Sequence, residues 1–126
     1  MNQRSILLWG AVLGGSGVAL GAFGAHALKP ILLANNRLDA YEIAVRYQVY
    51  HALALLIAGV LMTQFPNSPH VRRAASCWVG GIFLFSGSLY TLSLTSATAF
   101  AFLTPVGGFL FIAGWGFLLA AILKNK

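Results

Sequence analysis

Three stretches of the chain carry no charged residue: Ser5 to Leu28, Tyr47 to Val71 and Ala74 to Leu123. A helix needs about 20 residues to cross the hydrocarbon core of a bilayer. The first two stretches are therefore one span each, and the third, about twice that length, must fold back on itself. Its turn is expected at Leu94-Thr95-Ser96-Ala97-Thr98, where apolar density falls. Helices are accordingly predicted near 5–28, 46–65, 72–94 and 99–123. Pro30 follows the first, Pro66-Asn67-Ser68-Pro69 closes the second as a turn, and Pro105 begins or bends the fourth.

Between the first two spans, Leu38, Tyr41 and Val45 share one helical face, and Glu42 and Arg46 stand one turn apart in the favourable order. This predicts a short interfacial helix near 36–45 that runs into the second span. The expected fold class is all-α, an integral membrane four-helix bundle forming one domain over 1–126.

Composition changes the picture only by excluding alternatives. Hydrophobic residues make up 59% and charged residues 8%, against about 45–50% and about 25% in soluble domains. Such a chain cannot coat a water-soluble globule. The net charge of +6 is scattered, with Arg72-Arg73 its only cluster, so no nucleic-acid partner is expected. The positive-inside bias explains it better. The two termini and the second loop carry Arg4, Arg72, Arg73, Lys124 and Lys126 with no acid, whereas the first loop sets Lys29, Arg37 and Arg46 against Asp39 and Glu42. Both termini are thus expected inside, giving an N-in/C-in, multi-pass membrane protein. A competing reading makes Arg4 and Ala25-His26-Ala27 the ends of a cleaved signal, but the apolar run is long for one.

Packing is legible in the first span. Gly10, Gly14, Gly17, Gly21 and Gly24 recur at steps of four, three, four and three, a ridge that lets backbones approach closely. Gly15, Ala19, Ala22 and His26 lie on roughly the opposite face, which suggests a helix packed between neighbours, with Trp9, Leu13, Leu20 and Phe23 left for lipid. Gly107 and Gly114 offer a second close-contact stripe on the fourth span, and Gly80, Gly81 and Gly87 another on the third. The ridge serves packing within the bundle or, through Gly17-x-x-x-Gly21, a homo-oligomer.

Chemistry is sparse. In the expected orientation His26, Tyr47, Gln48, Tyr50, His51, Ser86, Ser88, Tyr90, Thr91, Ser93 and Thr104 gather at the extracytoplasmic ends of the helices. Such a cluster either fastens the helices together or receives a small ligand, a lipid or a partner helix. His26 and His51 without a thiolate or carboxylate make a poor metal site. Haem, which histidine alone can ligate, is the one cofactor they would suit; no metal or cofactor is expected. His70 is expected to be solvated, and the single Cys77, which excludes an intramolecular disulfide, to be a small packed residue. No predicted span contains Asp or Glu, which counts against a proton-coupled transporter. A small oligomeric transporter or channel is the alternative. No nucleophile elbow, HExxH pattern or phosphate loop accompanies the serines, so an enzyme is not expected.

The strings Gly21-Ala22-Phe23-Gly24-Ala25-His26-Ala27-Leu28, Tyr47-Gln48-Val49-Tyr50-His51-Ala52-Leu53-Ala54, Phe85-Ser86-Gly87-Ser88-Leu89-Tyr90 and Thr104-Pro105-Val106-Gly107-Gly108 place one motif in each span. Together they resemble the family catalogued as domain of unknown function 423, the YgdD-like small inner-membrane proteins, to which the eukaryotic transmembrane protein 256 is related. The resemblance implies an inner-membrane protein with no established biochemical activity, and it transfers no catalytic residue.

Overall fold

A computed structural model describes residues 1–125; Lys126, counted above among the basic residues, lies outside them. Five helices follow one another: α1 (Gln3–Ala25), α2 (Lys29–Ala34), α3 (Leu38–Leu61), α4 (Pro69–Thr95) and α5 (Leu103–Lys124). All but α2 are long and apolar enough to cross a membrane, at 23, 24, 27 and 22 residues. At about 1.5 Å per residue each exceeds the roughly 30 Å hydrocarbon core. The all-helical, four-span architecture expected from the sequence is the architecture found.

Local chemistry sets the helix limits and moves several of them from their expected places. The Asn2 side chain accepts the Ser5 amide and starts α1, which stops at Ala25 rather than near 28. Pro30 does not merely follow the first span. It lies in the opening turn of α2, where a missing N–H costs nothing. The short helix between the first two spans is therefore α2, while residues 38–45 of the segment expected as an interfacial helix form the start of α3 and, as expected, run into the second span without a break. Asp39 and Glu42 thus ride on the first turns of a spanning helix. Glu42 lies 3.8 Å from Arg46, both exposed. Asn36 and Asn67 take left-handed backbone (φ 54° and 62°) where the chain turns out of α2 and before α4, a conformation asparagine tolerates. Ser68 caps α4, Pro69 opens it, and Ser96, at φ 55°, ends it. The fourth span begins at Leu103, four residues later than 99.

The bundle is two antiparallel pairs, α1 with α3 and α4 with α5, joined through α3 and α4. In the first pair the glycine ridge narrows to a seam with a step of seven. Cβ atoms added at Gly10, Gly17 and Gly24 would stand 2.8 Å from Leu56, 2.8 Å from Val49 and 2.2 Å from Tyr41 respectively. Gly21 has Val45 at 3.3 Å and Gly14 is looser, at 3.8 Å from Ala52. At the far end the glycine changes sides, and Gly59 of α3 meets Leu7. Steps of seven on α1 are matched on α3 by a step of seven from Leu56 to Val49 and of eight from Val49 to Tyr41, close to the heptad register of a left-handed crossing. In the second pair Trp78 lies against Gly114, Gly81 against Phe111, and Phe85 against Gly107. These contacts supply the van der Waals packing that holds helices together in lipid, where no hydrophobic force acts between them.

Two expectations about α1 are overturned. Leu13 is buried in the core and not offered to lipid, because it falls between Gly10 and Gly17 on the side facing α3. Trp9 lies edge-on to Phe83 of α4. The face with Gly15, Ala19, Ala22 and His26 is exposed, so α1 lies at the margin of the bundle, not between neighbours.

Within α4, Ile82–Ser86 forms a π-helical turn, flanked by Gly81 and Gly87. One extra residue in a turn rotates everything beyond it by about 100°. Trp78 and Tyr90, about 120° apart on an unbroken helix, are thereby both directed at the polar middle of α3.

Candidate functional site

The polar side chains form a column along α3. At its centre is Gln48, only 3% exposed, which faces α1 where Gly17 has no side chain. Its amide nitrogen donates to the Leu13 carbonyl (3.0 Å) and to Ser16 Oγ (2.9 Å) on α1, while its Oε1 accepts the Tyr90 hydroxyl of α4 (2.7 Å). One amide thus ties three spans together. The Tyr90 ring packs edge-on to Tyr41, 5.2 Å between centroids, and the Tyr41 hydroxyl donates to the Leu20 carbonyl.

One turn along α3, His51 lies between α3 and α5. The Tyr47 carbonyl, 2.8 Å from Nδ1, can only accept, so Nδ1 carries the proton. Nε2 is then a lone pair and accepts the Trp115 indole N–H at 3.2 Å. The ring stacks on Phe111 with centroids 3.7 Å apart and planes 8° from parallel. This arrangement suits neutral imidazole, since a proton on Nε2 would expel Trp115. Trp78 packs beside Trp115, with ring centroids 4.8 Å apart.

The remaining fasteners on α4 begin at the last residue of the π turn. Ser86, fully buried, donates to the Ala44 carbonyl of α3 at 2.7 Å. Ser88 shares a short hydrogen bond with Thr104 of α5 and also donates to the Phe85 carbonyl. The hydroxyls of Thr91 and Ser93 turn back to carbonyls of α4 itself. Asn35, at the end of α2, donates to the Ser93 carbonyl at 3.0 Å, near the point where α4 runs out of helical partners. Asn35→Ala should cost about 1 kcal/mol and speed amide exchange in α2. Unchanged exchange there would show that α2 is held by its leucines alone.

Of the residues expected to cluster, the structure brings together Gln48, His51, Ser86, Ser88, Tyr90 and Thr104. Tyr47 contributes its carbonyl and a ring packed 4.8 Å from Phe85. His26 is not among them: it terminates α1 and is exposed. The column also runs deeper than the helix ends where it was expected. Because α3 begins at Leu38 rather than 46, Gln48 and His51 fall at mid-helix, opposite Leu13 and Ser16 in the middle of α1. His70 is half-buried rather than solvated, with Nε2 3.2 Å from Lys124 Nζ. Ser16, Asn35, Tyr41, Trp78, Phe111 and Trp115 were not singled out from the sequence as partners of the cluster. Tyr41 had a signal, standing one heptad before Gln48 as Gly24 stands one after Gly17. Among the described residues no three His, Cys, Asp or Glu side chains converge as metal ligands.

A family model described as "Protein of unknown function (DUF423)" matches residues 20–108. The chain is 42% identical to a UPF0382 membrane protein of Staphylococcus aureus (strain bovine RF122 / ET3-1), over 97% of its own length and 98% of that protein's. It is 39% identical to a UPF0382 membrane protein of Haemophilus influenzae, over 86% of each chain. To the UPF0382 inner membrane protein YgdD of Escherichia coli K12 it is 37% identical, over 100% of its own length and 95% of that protein's. No solved structure matches it.

Proposed function

The chain belongs to the DUF423 family, as a multi-pass inner-membrane protein, and from that premise we propose that it is a non-enzymatic bundle whose polar column locks the helices in one arrangement. One observation carries this reading. Gln48, His51, Ser86, Ser88 and Tyr90 each commit a side-chain hydrogen bond to a different span. An ionisable residue at mid-membrane is ordinarily a candidate for transport chemistry. Among the described residues His51 is the one Asp, Glu, Lys, Arg or His side chain in the middle of a span, and both of its nitrogens are engaged. We place both termini in the cytoplasm, since Arg4, Arg72, Arg73 and Lys124 lie at their end of the bundle and Asp39 and Glu42 at the other.

His51→Leu should lower stability by about 1 kcal/mol, the scale of one strong interhelical bond in a membrane. His26→Leu should leave it within about 0.5 kcal/mol, as for other exposed positions. Unfolding in mixed detergent, followed by tryptophan fluorescence, measures both. Proteoliposomes should show no proton or cation flux above empty liposomes. A flux that His51→Leu abolishes without loss of fold would replace this reading with the transporter one.

A further inference from the structure

The end of the bundle that bears the termini has a cleft that the polar column does not use. The chain leaves α3, turns at Asn67 and enters α4 at Pro69, while α5 finishes alongside at Lys124. Between them lies an open cleft of about 490 Å³. Phe65 and Ala121 contribute its apolar part; Asn67, His70, Lys124 and Asn125 contribute the polar part. A helix crossing a bilayer comes to the headgroup level at such an end, so an apolar recess with a polar rim here faces acyl chain and headgroup together.

Among the described residues the side-chain charge around it has one sign. Lys124 Nζ rests 3.2 Å from His70 Nε2, a neutral lone pair rather than a carboxylate. Arg72 reaches only the Asn67 amide oxygen, at 2.9 Å. Arg73 lies over the Phe117 ring, 5.9 Å from its centroid. The chain's two acidic side chains, Asp39 and Glu42, are both in the first turns of α3, at the other end of the bundle. Lys124 therefore lines the cleft, Arg72 is held on the lining residue Asn67, and Arg73 lies over Phe117, one turn before the lining Ala121, with no side-chain carboxylate among the described residues to neutralise them. The His70 Nδ1 atom is also buried without a hydrogen-bond partner among the described residues. An oxyanion would answer the charge, and the apolar recess would take what is attached to it.

The geometry points to a headgroup site for an anionic phospholipid. The phosphodiester would lie against Lys124 and His70, within the field of Arg72 and Arg73, and the first acyl carbons against Phe65 and Ala121. A free phosphate shares the charge but has no use for the recess. A zwitterionic lipid shares the acyl chains but brings its own cation to a cationic rim.

Native mass spectrometry of the full chain in mild detergent tests this. Phosphatidylglycerol and phosphatidylcholine of identical acyl chains are titrated separately, and inorganic phosphate is added as a competitor. Phosphatidylglycerol should bind at least about tenfold more tightly, since each interfacial cation is worth about fivefold. Lys124→Gln should weaken it about fivefold and leave phosphatidylcholine unchanged, and Lys124→Arg should restore it. Arg46→Gln, at the other end, should change nothing. His70→Gln gives a second variant at the rim, with thermal melting of each variant reporting the fold. Equal binding of the two lipids, or equal losses in Lys124→Gln and Arg46→Gln, would overturn the site. Displacement of the lipid by millimolar phosphate would show a small-anion site and overturn the lipid assignment.

Discussion

Gly107→Ala should lower the stability of the bundle by about 3 kcal/mol, the upper part of the range for overpacking, and more than any other single added methyl group. A Cβ there would stand 2.4 Å from the Phe85 backbone nitrogen and 2.8 Å from its Cα. Side chains can rotate away from a clash, but a backbone cannot without separating α4 from α5. That separation would also strain the Ser88–Thr104 bond, which lies in the same register. The comparison that gives the number meaning is Gly15→Ala and Gly116→Ala, where an added Cβ meets nothing within 4 Å. Those substitutions should be neutral or stabilise by up to about 1 kcal/mol through helix propensity. All three are read from unfolding in mixed detergent. If Gly107→Ala behaves like Gly15→Ala, the close α4–α5 contact does not exist in the folded protein.

The second large effect is expected at Gln48. Gln48→Leu should cost about 2 kcal/mol, from three interhelical bonds averaging about 0.6 kcal/mol each in membranes together with the partners left unsatisfied. Tyr90→Phe removes one of those bonds and should cost less. The double variant should then show a coupling of about 0.6 kcal/mol, and no more than about 1.7. A coupling of zero would mean that the hydroxyl and the amide do not meet. A Gln48→Leu protein as stable as the original would remove the main support for a locking role.

How much of this was legible follows from what each feature is made of. The four spans were, because an uncharged run of sufficient length has few other fates. The glycine seam was also visible, but only packing shows that Gly10, Gly17 and Gly24 are the tight members and Gly14 the loose one. The depth of the polar column was misread because Asp39 and Glu42 made the start of α3 look interfacial. Helix α2 was missed because Pro30 signals a stop as readily as a start. The π turn at Ile82–Ser86 has no side-chain signature beyond nearby glycines, yet it decides which face of α4 meets α3. Three of the atoms that receive the column's hydrogen bonds, the carbonyls of Leu13, Leu20 and Ala44, are backbone. Every residue has such a group, so no sequence pattern could mark them.

The pairing of α1 with α3 and of α4 with α5 also bears on how the protein is made. A chain emerging from the ribosome delivers the first hairpin to the bilayer while the second is still being synthesised. Both acceptors of the Gln48 amide nitrogen, the Leu13 carbonyl and Ser16 Oγ, already belong to that first hairpin. Its donors are therefore satisfied as soon as α1 and α3 close along the glycine seam. Oε1 is left waiting for Tyr90, Nε2 of His51 for Trp115, and the Ala44 carbonyl for Ser86. Three acceptors along α3 of a finished hairpin are the points at which the second hairpin docks. On the locking role proposed for the column, the same bonds would also orient the second hairpin in the last step of biogenesis.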